Sequence, residues 1–499
     1  MSLEREAKFS TWPGFELPDL DRVLPSVSAG ARSEARLDAT YWDTPDLRLI
    51  RWGITVRHRA QGGHVEWTVK LPGTVDDGVL SRPEYNFDGP PAEIPFEVRD
   101  LVRAYARTTP LEPVARLQTL RRSLPLFDPR GHRIAEVADD EVSVLDGDRV
   151  AARFREVELE VVETAPPTLL PALIERVRAA GAGQPDPTPK LVRALGPRAL
   201  AAPELSVPGL DDTANVGAVL RAAMSAAVLR ILHHDAIVRL DSGPEGVHQA
   251  RVGTRRLRSD LRTFAPILDE TWVEALREEL SWLAEALGRV RDADVLLARL
   301  ERASKELAGQ DQRLAESVRM RLRRQRAVHR RALLEVLRSD AYVVLLDRLV
   351  DAARSPRLSE AAGQAAKDAL PALVRRPWKK LTKAVEDLEA DGAVEHRHEV
   401  RIRGKRVRYA ADAATLASKE AAPMAKALAE MQDVLGEEHD AVVAEEWLRA
   451  IAVTNVSRAE ALVIGMLIAV EQREAREWAA KWPDAWAAVS KRKVRQWLS

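Results

Sequence analysis

The amino-acid sequence predicts an α+β first part, an antiparallel sheet or barrel with a few helices, joined to an all-α helical bundle. Three observations carry this. Up to about residue 165, short runs of alternating polar and apolar residues are separated by Gly, Pro and Asp clusters, which is the period-two pattern of strands and tight turns. Beyond about residue 213, apolar residues recur at every third and fourth place and glycine and proline thin out, the period of packed helices. Between the two lie the Pro-rich GQPDPTPK (183–190) and the loop-like AAPELSVPGLDD (201–212).

A chain of 499 residues exceeds one ordinary domain, so the expected division is residues 1–200, a linker at 201–212 and residues 213–499. Lys+Arg and Asp+Glu both number 76, so no argument for nucleic acid or membrane follows from total charge, and any electrostatic function lies in local clustering. There is no cysteine, which excludes disulfides and thiolate metal sites. No basic-then-apolar leader opens the sequence and no apolar run reaches bilayer-spanning length, so the expectation is a cytoplasmic protein with no membrane partner.

The strand-like elements share an unusual feature. In LEREAKF, Glu4, Glu6 and Lys8 fall on one face of an extended chain, with Leu3, Ala7 and Phe9 among the residues between. GITVRHR aligns Arg57 with Arg59, HVEWTVK aligns Glu66, Thr68 and Lys70, RPEYNF aligns Arg82 with Glu84, and FREVELEV aligns Glu156, Glu158 and Glu160. A half-buried sheet ordinarily turns such a face to water. The joint occurrence points instead to a barrel packed on its outside, with Arg, Lys and Glu lining its interior. Confined cations need an anion, and confined carboxylates need cations or metal. Phosphate chains satisfy the first need and a hard divalent ion the second. Helical insertions are expected at about 95–107 and 167–180.

The ordered set Glu4-x-Glu6-x-Lys8, Arg57-x-Arg59, Lys70, Arg82-x-Glu84, Arg121, an Asp at 139 or 140, Glu158-x-Glu160 and Lys190 after Pro189 resembles the CYTH family of triphosphate tunnel metalloenzymes over about residues 1–200. The resemblance implies an eight-stranded antiparallel β-tunnel. It implies hydrolysis of inorganic triphosphate or thiamine triphosphate, or adenylate cyclisation, with Mg²⁺ or Mn²⁺. By the same resemblance Glu4, Glu6, Asp139, Glu158 and Glu160 hold metal. Lys8, Arg57, Arg59, Lys70, Arg82, Glu84, Arg121 and Lys190 surround the triphosphate, and Glu4, Glu6 and Lys8 serve catalysis, with Lys8 either steering water or contacting phosphate. Arg121 and Arg122 are adjacent, as are Asp139 and Asp140, so each choice is open to a shift of one.

In the helical part VHQARVGTRRLRSDLRTF (247–264) is echoed by RHEVRIRGKRVRYAAD (397–412). His248 falls on His398, Arg251 on Arg401, Arg255 on Lys405, Arg256 on Arg406 and Arg258 on Arg408. LGRVRDADV and LGEEHDAVV repeat next, matching Asp292 with Asp440, so the bundle is expected to be an internal duplication about a pseudo-twofold axis. His248, Arg251, Arg255, Arg258 and Arg262 form one helical stripe that is almost purely cationic, whereas a solvated face mixes signs. This stretch resembles the CHAD domain over roughly 210–499, which implies binding of inorganic polyphosphate by His248, Arg251, Arg255, Arg258, His398, Arg401, Lys405 and Arg408. Nucleic acid is disfavoured, because the stripes lack interleaved aromatic platforms apart from Tyr409 nearby. The combined expectation is a triphosphatase that binds polyphosphate, cytoplasmic or at polyphosphate granules. The alternatives are a non-catalytic scaffold, a cyclase and a thiamine triphosphatase.

Overall fold

The computed structural model describes residues 2–61, 64–391, 394–454 and 456–498, excepting the side chains of residues 2–4, 61, 64, 391, 394 and 395. The chain divides into two compact units, Met1–Glu204 and Leu205–Ser499.

The first unit is built on ten strands: β1 (Ser2–Thr11), β2 (Ser28–Ala29), β3 (Ser33–Asp43), β4 (Thr55–Gln61), β5 (His64–Lys70), β6 (Thr74–Asp76), β7 (Val79–Phe87), β8 (Glu112–Phe127), β9 (Arg133–Asp146) and β10 (Arg149–Val161). Eight of them follow the order β1-β10-β9-β8-β3-β4-β5-β7, and β7 pairs back onto β1, closing an antiparallel barrel. The short β2 and β6 flank it on β8 and β7.

The barrel is inverted relative to a filled one. Ala7, Phe9, Val157, Leu159 and Val161 point outward and pack with Leu124, Leu126 and Val137 against Leu169, Leu170, Leu173 and Val177 of helix α3 (Leu169–Ala179). Phe9, Leu126 and Leu159 have no exposed surface, and each such burial stabilises by about 1.5–3 kcal/mol. With the apolar residues on the outer face, period-two alternation sends the polar ones inward. Two further helices, α1 (Arg48–Arg51) and α2 (Phe96–Ala106), cover other parts of the barrel, so α2 and α3 fall where helical insertions were expected. In α4 (Lys190–Leu195) the helix starts immediately after Pro189, whose φ of −62° and ψ of 148° set the entry. The Asp186 amide donates to the Lys8 carbonyl at 2.7 Å, tying this segment to β1.

The second unit contains α5 (Val216–Leu240), α6 (Pro244–Thr263), α7 (Glu270–Ser304), α8 (Gly309–Arg338), α9 (Asp340–Arg354), α10 (Ala366–Asp391), α11 (Val394–Ala414), α12 (Ala422–Ala452), α13 (Arg458–Ala480), α14 (Trp482–Ser490) and α15 (Arg492–Arg495). Asn215, Asp269, Ser339 and Ser457 cap their helices with side-chain acceptors, and Ser457 with Glu460 forms a capping box. The duplication is visible in the packing: α5 meets α10, α6 meets α11 and α7 meets α12. Among the described residues α5 alone is long and apolar enough to cross a membrane, yet 67% of its apolar window is buried among the other helices. Of the tryptophans in this unit, Trp482 is buried and Trp282 is 38% exposed.

Candidate functional site

The barrel encloses a cavity of about 220 Å³ lined by eight basic and five acidic side chains. Register explains the convergence. In the β1–β10 pair, Glu6 lies opposite Glu160 and Lys8 opposite Glu158; in β4–β5, Arg57 lies opposite Thr68 and Arg59 opposite Glu66. Directly opposed residues share a face. Arg121 on β8 faces Asp140 on β9, which faces Glu156 on β10, so one inward ring joins three strands.

Ion pairs fill one side of the cavity. Lys8 Nζ lies 2.9 Å from Glu158 and 3.3 Å from Glu6, whose other partner is Arg82 at 3.1 Å. Lys190, delivered by the start of α4, places its Nζ 2.8 Å from Asp140, 2.7 Å from Glu156 and 2.8 Å from Glu158. Arg121 makes a bidentate contact with Asp140 and reaches Glu158 at 2.7 Å. Lys70 pairs with Glu84 at 2.9 Å. Burial opposes charge on Glu158, but Lys190, Lys8 and Arg121 overcome it and hold the carboxyl well below the usual range. Burial likewise works against Lys190, and Glu158, Asp140 and Glu156 hold its ammonium well above the usual range. Glu156 is the exception: burial, with the Glu158 charge beside it, pushes it up in spite of Lys190.

The opposite side is more weakly paired. Arg57 is held by the hydroxyls of Thr68, at 3.4 Å, and Tyr41, and among the described residues no carboxylate lies within ion-pair distance of it. Arg59 reaches Glu66 at 3.5 Å, and repulsion from Arg57, then burial, depresses its affinity for a proton.

Of the residues expected from sequence, Glu6, Lys8, Arg57, Arg59, Lys70, Arg82, Glu84, Arg121, Glu158, Glu160 and Lys190 all line this cavity. Glu4 lies opposite Arg82 in the β1–β7 register, and its side chain falls outside the described residues. Asp139 requires correction. Its carboxylate is turned away from the ring and bound by Arg155 at 2.8 and 2.7 Å, and the inward member of the pair is Asp140. Period-two alternation on β9 puts Asp139 on the face of Ala135 and Val137, which pack outside the barrel, and Asp140 on the face of the cavity-lining Glu136, opposite Glu156. Arg122 is the outward neighbour of Arg121 and bridges Glu34 and Glu141. Sequence reasoning passed over Glu156, although it shares a face with Glu158, and also Tyr41, Arg133 and Glu136.

Asp140, Glu156 and Glu158 each offer a carboxylate oxygen, and these oxygens all lie within 4.8 Å of one another. All-carboxylate donors at that spacing fit a small hard divalent ion. The Lys190 ammonium lies among the same three groups, which therefore already converge on one positive charge. Glu160 is exposed and is not part of this triad.

In the helical unit the two stripes meet where α6 packs on α11. Arg251 donates to Asp292 at 2.6 Å and to the Gly288 carbonyl at 3.2 Å. Lys405 is pushed down to about 7 by burial and by Arg401, Arg255 and Arg251, against the pull of Asp440. Burial, together with Arg255 and Arg251, also depresses Arg401, with Asp440 opposing. The Arg255 guanidinium lies 5.8 Å from the centre of the Tyr409 ring, and Arg408 repels it. His398 faces His439 with ring centres 5.7 Å apart, and burial, then Arg401, pushes His439 down to about 4. His248 is depressed by burial, then by Arg291 and Arg255, and Arg258 by burial and by Arg277.

The sequence matches the CYTH domain over residues 2–184 and the CHAD domain over residues 222–449. It is 32% identical to the Mycobacterium tuberculosis protein Rv2226 over 498 residues, covering 93% of this chain and 92% of that one. This chain is a CYTH–CHAD protein. Two solved structures are similar to parts of this CYTH–CHAD protein. PptA from Streptomyces chartreusis is 23% identical, with a TM-score of 0.47, covering 55% of this chain and 100% of that one. The CHAD domain from Ricinus communis is 25% identical, with a TM-score of 0.43, covering 59% of this chain and 94% of that one. CYTH-domain proteins are metal-dependent triphosphatases or cyclases, and CHAD domains are associated with polyphosphate.

Proposed function

We propose that the CYTH domain, residues 1–200, hydrolyses inorganic triphosphate with Mg²⁺ or Mn²⁺, and that the CHAD domain, residues 213–499, binds inorganic polyphosphate. The observation that carries this reading is the division of the cavity into an ion-paired carboxylate side and a cationic side on which, among the described residues, Arg57 has no carboxylate partner and Arg59 has only Glu66, at 3.5 Å. A pure anion receptor gains nothing from buried carboxylates beside its ligand, whereas a site for a metal with a phosphate chain needs both signs.

Arg57, Arg59 and Lys70 bind and orient the phosphates, with the guanidinium forks matching phosphate oxygens. Asp140, Glu156 and Glu158 would hold the divalent ion, with Glu6 and Glu160 nearer the substrate. A divalent ion there supplies Lewis-acid charge and lowers the pKa of a coordinated water. Lys190, which neutralises the same three carboxylates, would be free to contact a phosphate with an ion held there. Lys8, fixed between Glu6 and Glu158, orients the incoming water or a terminal oxygen. Arg121 neutralises charge building on the departing diphosphate.

The test is phosphate release from tripolyphosphate, ATP and thiamine triphosphate by purified protein, with and without Mg²⁺ or Mn²⁺. Metal-dependent release from tripolyphosphate alone is the expected result. Release of pyrophosphate and cyclic nucleotide from ATP would make it a cyclase, and no turnover with retained polyphosphate binding would make it a scaffold.

A further inference from the structure

The duplication of the helical unit is broken at one ion pair. Arg256 of α6 donates to Asp412 of α11 at 2.9 Å. The alignment of the two stripes places Arg256 on Arg406 and, at the same offset, Arg262 on Asp412. The pseudo-twofold mate of this salt bridge is therefore the pair Arg406 and Arg262, two cations where the first copy has one of each sign. A second difference adds to this. Arg277 of α7 falls on Ala425 of α12 when the two LG motifs are aligned, so this guanidinium also has no counterpart in the other half.

These groups sit together. Arg262 is pushed down to about 10 by burial and by repulsion from Arg406, Arg277 and Arg258. Arg258 is depressed by burial and by Arg277, and Arg406 by burial, Arg403 and Arg277. Nearby acids are few: Glu274 pairs with Arg277, and Glu399 pairs with Arg403 at 2.5 Å. Among the described residues no carboxylate lies within ion-pair distance of Arg258, Arg262 or Arg406. Like charges gathered at a helix junction with fewer acids than bases cost stability in the free protein and are stabilised by a bound anion. On α6 the stripe from Arg251 to Arg262 runs about 16 Å, further than the three phosphates of tripolyphosphate reach.

We propose that Arg258, Arg262, Arg277 and Arg406 form a second anion subsite in the helical unit, filled by phosphates of a polyphosphate chain long enough to reach it from the cluster of Arg255, Arg401 and Lys405. This rests on the polyphosphate reading of the CHAD domain and adds a length requirement to it. Short chains fill one cluster, and long chains bridge both and gain an intramolecular second contact.

The test uses the full chain carrying Arg57→Ala and Arg121→Ala to silence the tunnel, with chelator present. Tripolyphosphate and a long-chain polyphosphate are titrated at several salt concentrations. Arg262→Asp rebuilds, in the other half, the ion pair that Arg256 makes with Asp412. It is expected to raise the ligand-free melting temperature, to weaken long-chain binding about tenfold and flatten its salt dependence, and to leave tripolyphosphate binding unchanged. A misfolded variant would lose stability and binding together, so the opposite signs identify the subsite. Unchanged long-chain affinity in Arg262→Asp, or equal affinity of the unsubstituted helical unit for short and long chains, overturns the length requirement while the polyphosphate reading stands. Failure to bind any chain overturns both.

Discussion

The two units handle buried charge in opposite ways. In the tunnel each lysine ammonium is matched by acids: Lys190 touches three carboxylates and Lys8 two, and the outcome is ionised groups of both signs held far from neutrality. On the α6–α11 stripes the cations are gathered with each other, and Lys405 is driven towards its neutral form. The contrast separates two chemistries. A cavity with both signs can take a metal and an anion and direct a reaction between them, whereas a surface of one sign can only hold an anion.

The strongest way to break this contrast is to remove a tunnel carboxylate. Glu158→Gln is expected to lower tripolyphosphate turnover by about a thousandfold, because it weakens the triad and leaves Lys8, Lys190 and Arg121 short of a counter-charge. Long-chain polyphosphate binding by the same protein should persist, measured by titration, and its parallel loss would mean that the two units share one site. Next in size, Arg57→Ala combined with Arg59→Ala should raise KM for tripolyphosphate by about 10- to 100-fold while Mg²⁺ affinity measured calorimetrically without substrate stays within about twofold. A fall in metal affinity would place the metal on the cationic side and reverse the assignment of the two walls.

A smaller effect sharpens the helical side. Phosphates bound near Lys405 favour its charged form, so above about pH 7 binding takes up a proton and long-chain affinity falls as the pH rises towards 9. The charged groups acting on Lys405 are Arg401, Arg255, Arg251 and Asp440, and Lys405→Arg should flatten the profile. Calorimetry in two buffers of different ionisation enthalpy counts the proton.

The smallest effect concerns stability alone. Burial pushes the Asp260 carboxyl up to about 8 from an ordinary 3.8, despite Arg256 and with the Asp412 charge adding to the rise. The folded unit therefore holds a proton that the unfolded chain releases, and this contribution is complete below about pH 4 and is lost as the pH rises through 8. The melting temperature of the helical unit should fall between pH 6 and pH 9, and Asp260→Asn should make that fall shallower.

Much of this was legible in the sequence because period-two alternation fixes which strand residues share a face. Lys8, Arg57, Lys70 and Glu158 could be placed inside once the outer residues were recognised as the packed ones. Asp139 was chosen because the resemblance did not separate it from Asp140, although Ala135 and Val137 share the Asp139 face and pack outside the barrel. Glu156 was on the right face but was not chosen, since its partner Lys190 arrives from a helix 34 positions later and only the fold brings them to 2.7 Å. In the helical unit the repeat was readable from the text. Which cation repels Arg258 was not, because Arg277 is brought to it by the following helix.

The sign change at 262 and 412 also bears on how a uniform polymer is seated. Polyphosphate reads the same from either end, and an unbroken twofold receptor would accept it in equivalent, reversible registers centred on its axis. Replacing one acid by a base removes that degeneracy. A chain bound as proposed would take an off-centre register, with one dangling end longer than the other, so a directionless ligand would acquire a direction from its host.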